Sequence, residues 1–261
     1  MKPSFTQFRQ RLVAREPLLG TFVKLPTTQA IEIFGVVGFD FVVIDQEHAP
    51  LDRAQVDLMA FAGRASNVAP IVRVGDAGDA AVLSALDCGA SGIMFPHVTS
   101  VEKAKSIAAS CRYIGGKRGF ASMSRAGSWG ARGIVDHMKA QDAEVACIAM
   151  IEDIDAVSLT AEIAAVDGID AIFIGRGDLT ASFGDDPHAS AKVAEAARTI
   201  AEATRAAGKT LMILATSTAD AETFRGHGAS GVLVSSDHNF LKTAAAAAYR
   251  DYGVKTDNAR M

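Results

Sequence analysis

The chain has 261 residues, 49% hydrophobic and 21% charged, with a formal net charge of −4. That length suits one eight-fold βα barrel, and the apolar share is enough for a large core. The acidic balance excludes the basic footprint of a nucleic-acid binder, and no run of roughly eighteen apolar residues is present to span a membrane.

Residues 4–15 read as a leading helix that caps one end of the fold. This opening stretch has no long apolar segment, so no secretory signal is expected. Continuous apolar runs then recur at 20–25, 41–45, 70–74, 92–96, 145–151, 171–175, 210–215 and 231–235. Runs without alternation suit strands buried on both faces. Helix-like stretches follow most of them. Ser100 is placed to cap a helix over 100–110, a second helix runs over 189–207 and stops at Gly208, and a third covers 237–249. Residues 111–143 break the rhythm. They are rich in Gly, Ser and Arg, end in a helix over 134–141, and are long enough to suggest a functional or mobile segment. Residues 253–261 form a polar tail. Cys88, Cys111 and Cys147 are scattered without ligand spacing, which points to a reducing cytoplasm rather than disulfides.

Eight strand–helix repeats predict a single-domain α/β fold, a (β/α)8 TIM barrel over residues 1–261. An open doubly wound sheet is the runner-up. No Gly-x-Gly-x-x-Gly follows the first strand to support a dinucleotide fold.

In such a barrel, polar groups at the C-terminal strand ends build the site. The second run ends Asp45-Gln46-Glu47-His48, Arg73 lies in the third, Glu152 follows the fifth, and Asp178 lies just past the sixth. Asp87 closes the helix before the fourth. Glu152 and Asp178 on neighbouring strands suit a hard divalent cation, although either alone reads equally well as a helix first-turn acid. His48 suits proton transfer, with Asp87 or Asp45 to fix its tautomer, and the alternative is a capping loop histidine. His97 is a weaker second choice. Arg73, inside an apolar run, needs an anion: a substrate carboxylate or enolate oxygen, or a structural ion pair with a barrel acid. Lys24 alone among the lysines lies near a strand end, so Schiff-base chemistry is possible through it but not favoured. The Arg176-Gly177-Asp178 tripeptide follows a buried run, which argues against an adhesion motif.

Val-Val-Ile-Asp45-Gln-Glu-His48, Val-Arg73-Val, Leu-Asp87-Cys-Gly-Ala, Met-Ile-Glu152 and Ile-Phe-Ile-Gly-Arg-Gly-Asp178-Leu together resemble the metal-dependent (class II) pyruvate aldolases. These include 4-hydroxy-2-oxoheptanedioate aldolase and the 2-keto-3-deoxy sugar-acid aldolases. The resemblance implies Glu152 and Asp178 holding Mg²⁺, Mn²⁺ or Co²⁺. It implies a 2-oxo acid on that ion, reacting through a metal-bound enolate, with Arg73 neutralising the enolate oxygen. His48, oriented by Asp87, would move the proton, and Asp45 would support the site from behind. The backbone N–H groups of Gly177 and Asp178 would take the substrate carboxylate. The reaction implied is reversible cleavage of 4-hydroxy-2-oxo acids to pyruvate and an aldehyde. The resemblance also implies a homohexamer, a trimer of dimers, in which the last helix is exchanged with a neighbour.

Met150 stands where that family has Gln, Gly-Arg176-Gly177-Asp replaces Gly-Pro-Ala-Asp, and Ser235 stands where Gly is common. Met150 removes a polar group near the enolate, and Arg176 adds a cation for a second substrate carboxylate. Two alternatives remain: a citryl- or malyl-CoA-type lyase, which needs a basic surface that only the 112–125 loop offers, and a non-catalytic barrel binding a 2-oxo acid or a partner protein.

Overall fold

Eight strands pair in parallel, each with its sequence neighbour, and the eighth returns to the first, closing the sheet into a barrel. They are β1 (Leu18–Val23), β2 (Phe41–Asp45), β3 (Ala69–Arg73), β4 (Gly92–Phe95), β5 (Ala146–Ile151), β6 (Ala171–Ile174), β7 (Thr210–Ala215) and β8 (Ala229–Ser236). The computed structural model describes residues 3–253; most of the polar tail lies outside the described residues. Closure decides against the open sheet.

The helices are α1 (Phe8–Val13), α2 (Thr28–Val37), α3 (Arg53–Ala65), α4 (Asp79–Asp87), α5 (Val101–Ser110), α6 (Ile134–Glu144), α7 (Ile154–Val157), α8 (Thr160–Ala165), α9 (Arg176–Phe183), α10 (Ala189–Ala206), α11 (Thr218–Gly226) and α12 (Asp237–Tyr252). Ser100 caps α5 as its sequence predicts, accepting from the Lys103 N–H.

Because strand side chains alternate, the two faces of each strand feed two different cores. Phe41, Val43, Ile71, Ile148, Phe173, Met212 and Leu233 fill the barrel interior. Val42, Ile44, Val72, Cys147, Ile172 and Ile213 face outward and pack beneath the helices. This explains why the strands read as unbroken apolar runs. The same parity aims the strand-end polar groups. Asp45 follows Phe41 and Val43 on the inward face, Arg73 follows Ala69 and Ile71, and Glu152 follows Ile148 and Met150. Gly20 also faces inward, where a Cβ would lie 2.4 Å from the Phe41 ring.

Helix α1 closes the N-terminal end. Phe8 and Leu12 enter the interior core, the Phe8 and Phe41 rings sit 5.3 Å apart, and Arg9 bonds Asp170 at 2.8 Å. β1 is shifted relative to its predicted 20–25, because the N–H groups of Lys24 and Leu25 leave the sheet to bond the Asp237 carboxylate at 2.8–3.1 Å.

The 111–143 segment does not cover the catalytic rim of its own barrel. It starts where α5 ends and finishes where β5 begins, and both points lie at the N-terminal face. Tyr113 and Ile114 donate their N–H groups to Asp142, and Arg125 pairs with Asp57 at 2.8 Å. Helix α12 stands apart in another sense: Asp237 is its only buried residue among those described. Among the described residues, no helix is long and apolar enough to cross a membrane. The three cysteines are buried and free.

Candidate active site

A cavity of about 460 Å³ opens at the C-terminal end of the barrel. Phe22, Met150, Phe173 and Leu214 give it apolar surface, while Lys24, His48, Arg73, Glu152, Arg176, Gly177 and Asp178 bring polar groups to it.

On one side stand the two acids. Glu152 is 1% exposed. The His97 N–H donates to its Oε1 at 2.8 Å, while its Oε2 is buried without a hydrogen-bond partner. Burial first, and then the negative charge of Asp178, raise the Glu152 carboxyl to about 7 against the His97 N–H. A buried, unpartnered carboxylate oxygen beside a second carboxyl is costly unless a cation or a proton joins them. The space they share depends on Gly175, since a Cβ there would sit 2.4 Å from both Cβ and Oε2 of Glu152. This pair fits a hard cation with oxygen ligands, with the remaining positions left to water and substrate. Among the described residues no cluster of three or more His, Cys, Asp or Glu side chains is placed to hold a metal, here or elsewhere, so this site offers a pair of protein ligands.

Asp45 and Arg73 are register partners on β2 and β3, so their inward side chains meet. Arg73 donates through Nε at 2.9 Å and Nη2 at 2.6 Å to the two Asp45 oxygens. Its Nη1 lies 3.0 Å from Glu47, and its guanidinium sits 4.9 Å above the Phe22 ring. Burial alone would raise Asp45, but Arg73 and then Lys24 hold it down at about 2. Arg73 is therefore in a structural ion pair and also faces the cavity. Asp45 stays ionised and acts by fixing Arg73. It also accepts the Glu47 and His48 N–H groups, both at 3.2 Å, which sets the turn after β2.

His48 lines the cavity, with Nε2 3.6 Å from Glu47 Oε2. His97, which the sequence ranks lower, stands at the same rim in a left-handed conformation (φ +52°). Its Nδ1 lies 3.1 Å from Asp153. Partial burial opposes its charged form, but the Asp153 bond and the charges of Glu152, Asp153 and Glu47 raise its pKa overall.

Asp87 is not at the site. It ends α4, which runs back down the outside of the barrel, so it lies at the face opposite the cavity, 3.8 Å from Arg118. No His48–Asp87 pair forms within the chain. Arg176 does reach the cavity wall, but Asp220 holds it through two bonds at 2.6–2.8 Å and the Leu214 carbonyl accepts a third at 2.6 Å. It is not a loose cation awaiting a second carboxylate. The first turn of α9 has no side-chain cap, which leaves the Gly177 and Asp178 N–H groups at the cavity. Sequence reading passed over Glu47, Thr216, Ser236 and Asn239. Glu47 was visible as a charge beside a strand end, whereas Asn239 lies on a helix with no local signal of its own.

A family model described as HpcH/HpaI aldolase/citrate lyase matches residues 18–244. The chain belongs to that family. The hydroxypyruvate/pyruvate aldolase of Delftia acidovorans is 35% identical over 245 residues, 92% of this chain and 90% of that one. The 5-keto-4-deoxy-D-glucarate aldolase of Enterobacter sp. (strain 638) is 34% identical, covering 91% of this chain and 93% of its own. A crystal structure of an HpcH/HpaI aldolase/citrate lyase family protein from Burkholderia cenocepacia superposes with a TM-score of 0.87 at 32% identity, covering 94% and 98% of the two chains. The structure of citrate synthase SbnG superposes at 0.83 with 28% identity, covering 93% and 96%. This HpcH/HpaI member is therefore an enzyme of the carbon–carbon lyase type, an aldolase or lyase on a TIM barrel. Within the family frame, Met150 sits in the cavity wall as an apolar surface.

Proposed function

We propose that this enzyme reversibly cleaves 4-hydroxy-2-oxo acids to pyruvate and an aldehyde. The observation that carries the reading is the Glu152–Asp178 pair with its unpartnered Oε2, set in a cavity beside Arg73. Glu152 and Asp178 are the residues suited to hold Mg²⁺, Mn²⁺ or Co²⁺, and such an ion supplies Lewis acidity toward a 2-oxo acid. The chain's own groups do the rest. Arg73, fixed by Asp45, neutralises negative charge as it builds on the keto oxygen. His48 takes the C4-hydroxyl proton while the C3–C4 bond breaks, and the bonding pair passes to the three-carbon fragment as an enolate. That fragment gains a proton at C3 and leaves as pyruvate. The Gly177 and Asp178 N–H groups suit the substrate carboxylate.

The proposal takes residues 1–261 as one catalytic unit, working in the cytoplasm on small molecules without nucleic acid or membrane. It includes a homo-oligomer, a hexamer, in which the nearly unburied α12 packs on a neighbouring copy. A CoA-dependent lyase is less well supported. Of the arginines in the 112–125 loop, Arg112 bonds Asp170 and the Val145 carbonyl, Arg118 is buried, and Arg125 pairs with Asp57, so little free positive charge remains there.

The test is Glu152→Ala. Mn²⁺ affinity and pyruvate release from a 4-hydroxy-2-oxo acid should fall together, affinity by more than about 100-fold. A variant that keeps its rate after losing its metal rules the reading out. A wild-type barrel that binds a 2-oxo acid without any turnover favours the non-catalytic alternative.

A further inference from the structure

Strand β6 lies between β5 and β7 in the barrel, and the turn that follows it reaches toward both neighbours. On the β5 side it carries Asp178, beside Glu152. On the β7 side it carries Arg176, which bonds the Leu214 carbonyl. Side chains two residues apart on a helix point about 200° apart, so one helical turn serves both sides. The chemistry described above uses Asp178 and leaves Arg176 without a task.

The turn is otherwise loosely held. Helix α9 has no side-chain N-cap, and its buried residue is Leu179. A glycine stands on each side of Arg176. Gly175 is needed for the space around Glu152, but a Cβ at Gly177 would meet nothing within 4 Å, so Gly177 adds backbone freedom and no contact. Packing does not back the turn either. Behind it a second cavity of about 690 Å³ is bounded by Arg176, Thr180, Asp220 and Phe224.

Arg176 supplies the restraint. The β6–β7 ladder stops at Ile174 with Ile213. Just beyond it, Arg176 Nη2 donates to the Leu214 carbonyl at 2.6 Å. The same guanidinium donates to both Asp220 oxygens, at 2.8 and 2.6 Å, and lies 4.8 Å from the centre of the Phe224 ring. Asp220 sits in the first turn of α11 and is fixed in its turn by the Thr216 N–H at 2.8 Å and the Thr216 hydroxyl at 3.1 Å. Arg176 is the first cause holding the Asp220 carboxyl at about 2, so the pair stays charged near neutrality. A planar fork bound at three points keeps little freedom. It ties the α9 turn to β7 and α11 together.

We infer that Arg176 is a positioning residue for the ion site: by tying the first turn of α9 to Asp220 and to the Leu214 carbonyl, it keeps Asp178 where one divalent ion can bridge it to Glu152. The inference rests on the aldolase reading, which assigns the ion to those two acids, and adds a residue that acts through one of them. Charge alone predicts the opposite sign. Removing a cation and leaving Asp220 as an uncompensated anion would draw Mn²⁺ in, whereas loss of position weakens it.

The experiment titrates Mn²⁺ into chelated wild type, Arg176→Met and Arg176→Lys by paramagnetic resonance, without substrate, and follows chemical denaturation of each metal-free protein alongside. Arg176→Met should bind Mn²⁺ about tenfold or more weakly, the size expected for loss of a group that orients a metal ligand. Arg176→Lys keeps one charged contact with Asp220 and should recover part of that loss. It also carries the test should Arg176→Met fail to fold. A folded Arg176→Met that binds Mn²⁺ as tightly as wild type, or more tightly, overturns the inference alone. So does a weakening that disappears once the folded fraction is accounted for. A wild type that binds no Mn²⁺ overturns the aldolase reading, and the inference falls with it.

Discussion

At Glu152, burial decides the chemistry. Its carboxyl is raised from 4.5 to about 7, chiefly by desolvation, with Asp178 adding to the effect. Between those values the folded, metal-free chain keeps a proton that the unfolded chain has released. Its stability is therefore fully present below about pH 4.5, declines as pH rises, and levels off above about 7. A divalent ion needs the ionised form, so affinity should rise with pH and flatten above about 7. Melting temperatures with and without Mn²⁺ across pH 4.5 to 8 check both signs, and a metal-free stability that rises over this window contradicts the account. Gly175 is the second residue that matters here. Gly175→Ala would place a methyl 2.4 Å from Glu152 Oε2. It should weaken Mn²⁺ binding while costing about 2 kcal/mol of stability, the usual range for overpacking. Paramagnetic resonance titration and chemical denaturation separate the two effects.

At the scale of elements, the sequence was most informative where burial was complete. The β2 and β7 runs matched their predicted bounds, because a strand covered on both faces leaves an uninterrupted apolar signature. Parity then carried Asp45, Arg73 and Glu152 inward. Asp87 precedes β4 by a few residues, so within one chain it belongs to the end of the barrel away from the cavity, as topology could have indicated. The left-handed turn at His97 and the β8–α12 wall were not legible, since neither a φ angle nor a contact between distant elements leaves a local pattern. Helix α12 was legible as a helix, and its exposure was not. Among its described residues this helix buries only Asp237, which leaves its outer face open to the proposed oligomer contact. A chain ending at residue 240 should keep its barrel but show a smaller mass by light scattering. An unchanged mass removes α12 from the assembly.

For the whole molecule, the barrel serves to bring groups from six strand ends around one cavity: Lys24, Asp45, Arg73, Glu152, Asp178 and Ser235 lie far apart in sequence and meet at one rim. The acids stand on one side, and Arg73 and Lys24 stand together across from them on the same Asp45 oxygen. The central claim is that one divalent ion on Glu152 and Asp178 makes this cavity an aldolase site. It is tested most directly by titrating Mn²⁺ into thoroughly chelated enzyme while following pyruvate release from a 4-hydroxy-2-oxo acid. The account predicts a rate near zero without metal, rising linearly to a plateau at one ion per chain. A chelated enzyme already working at its full rate would contradict it.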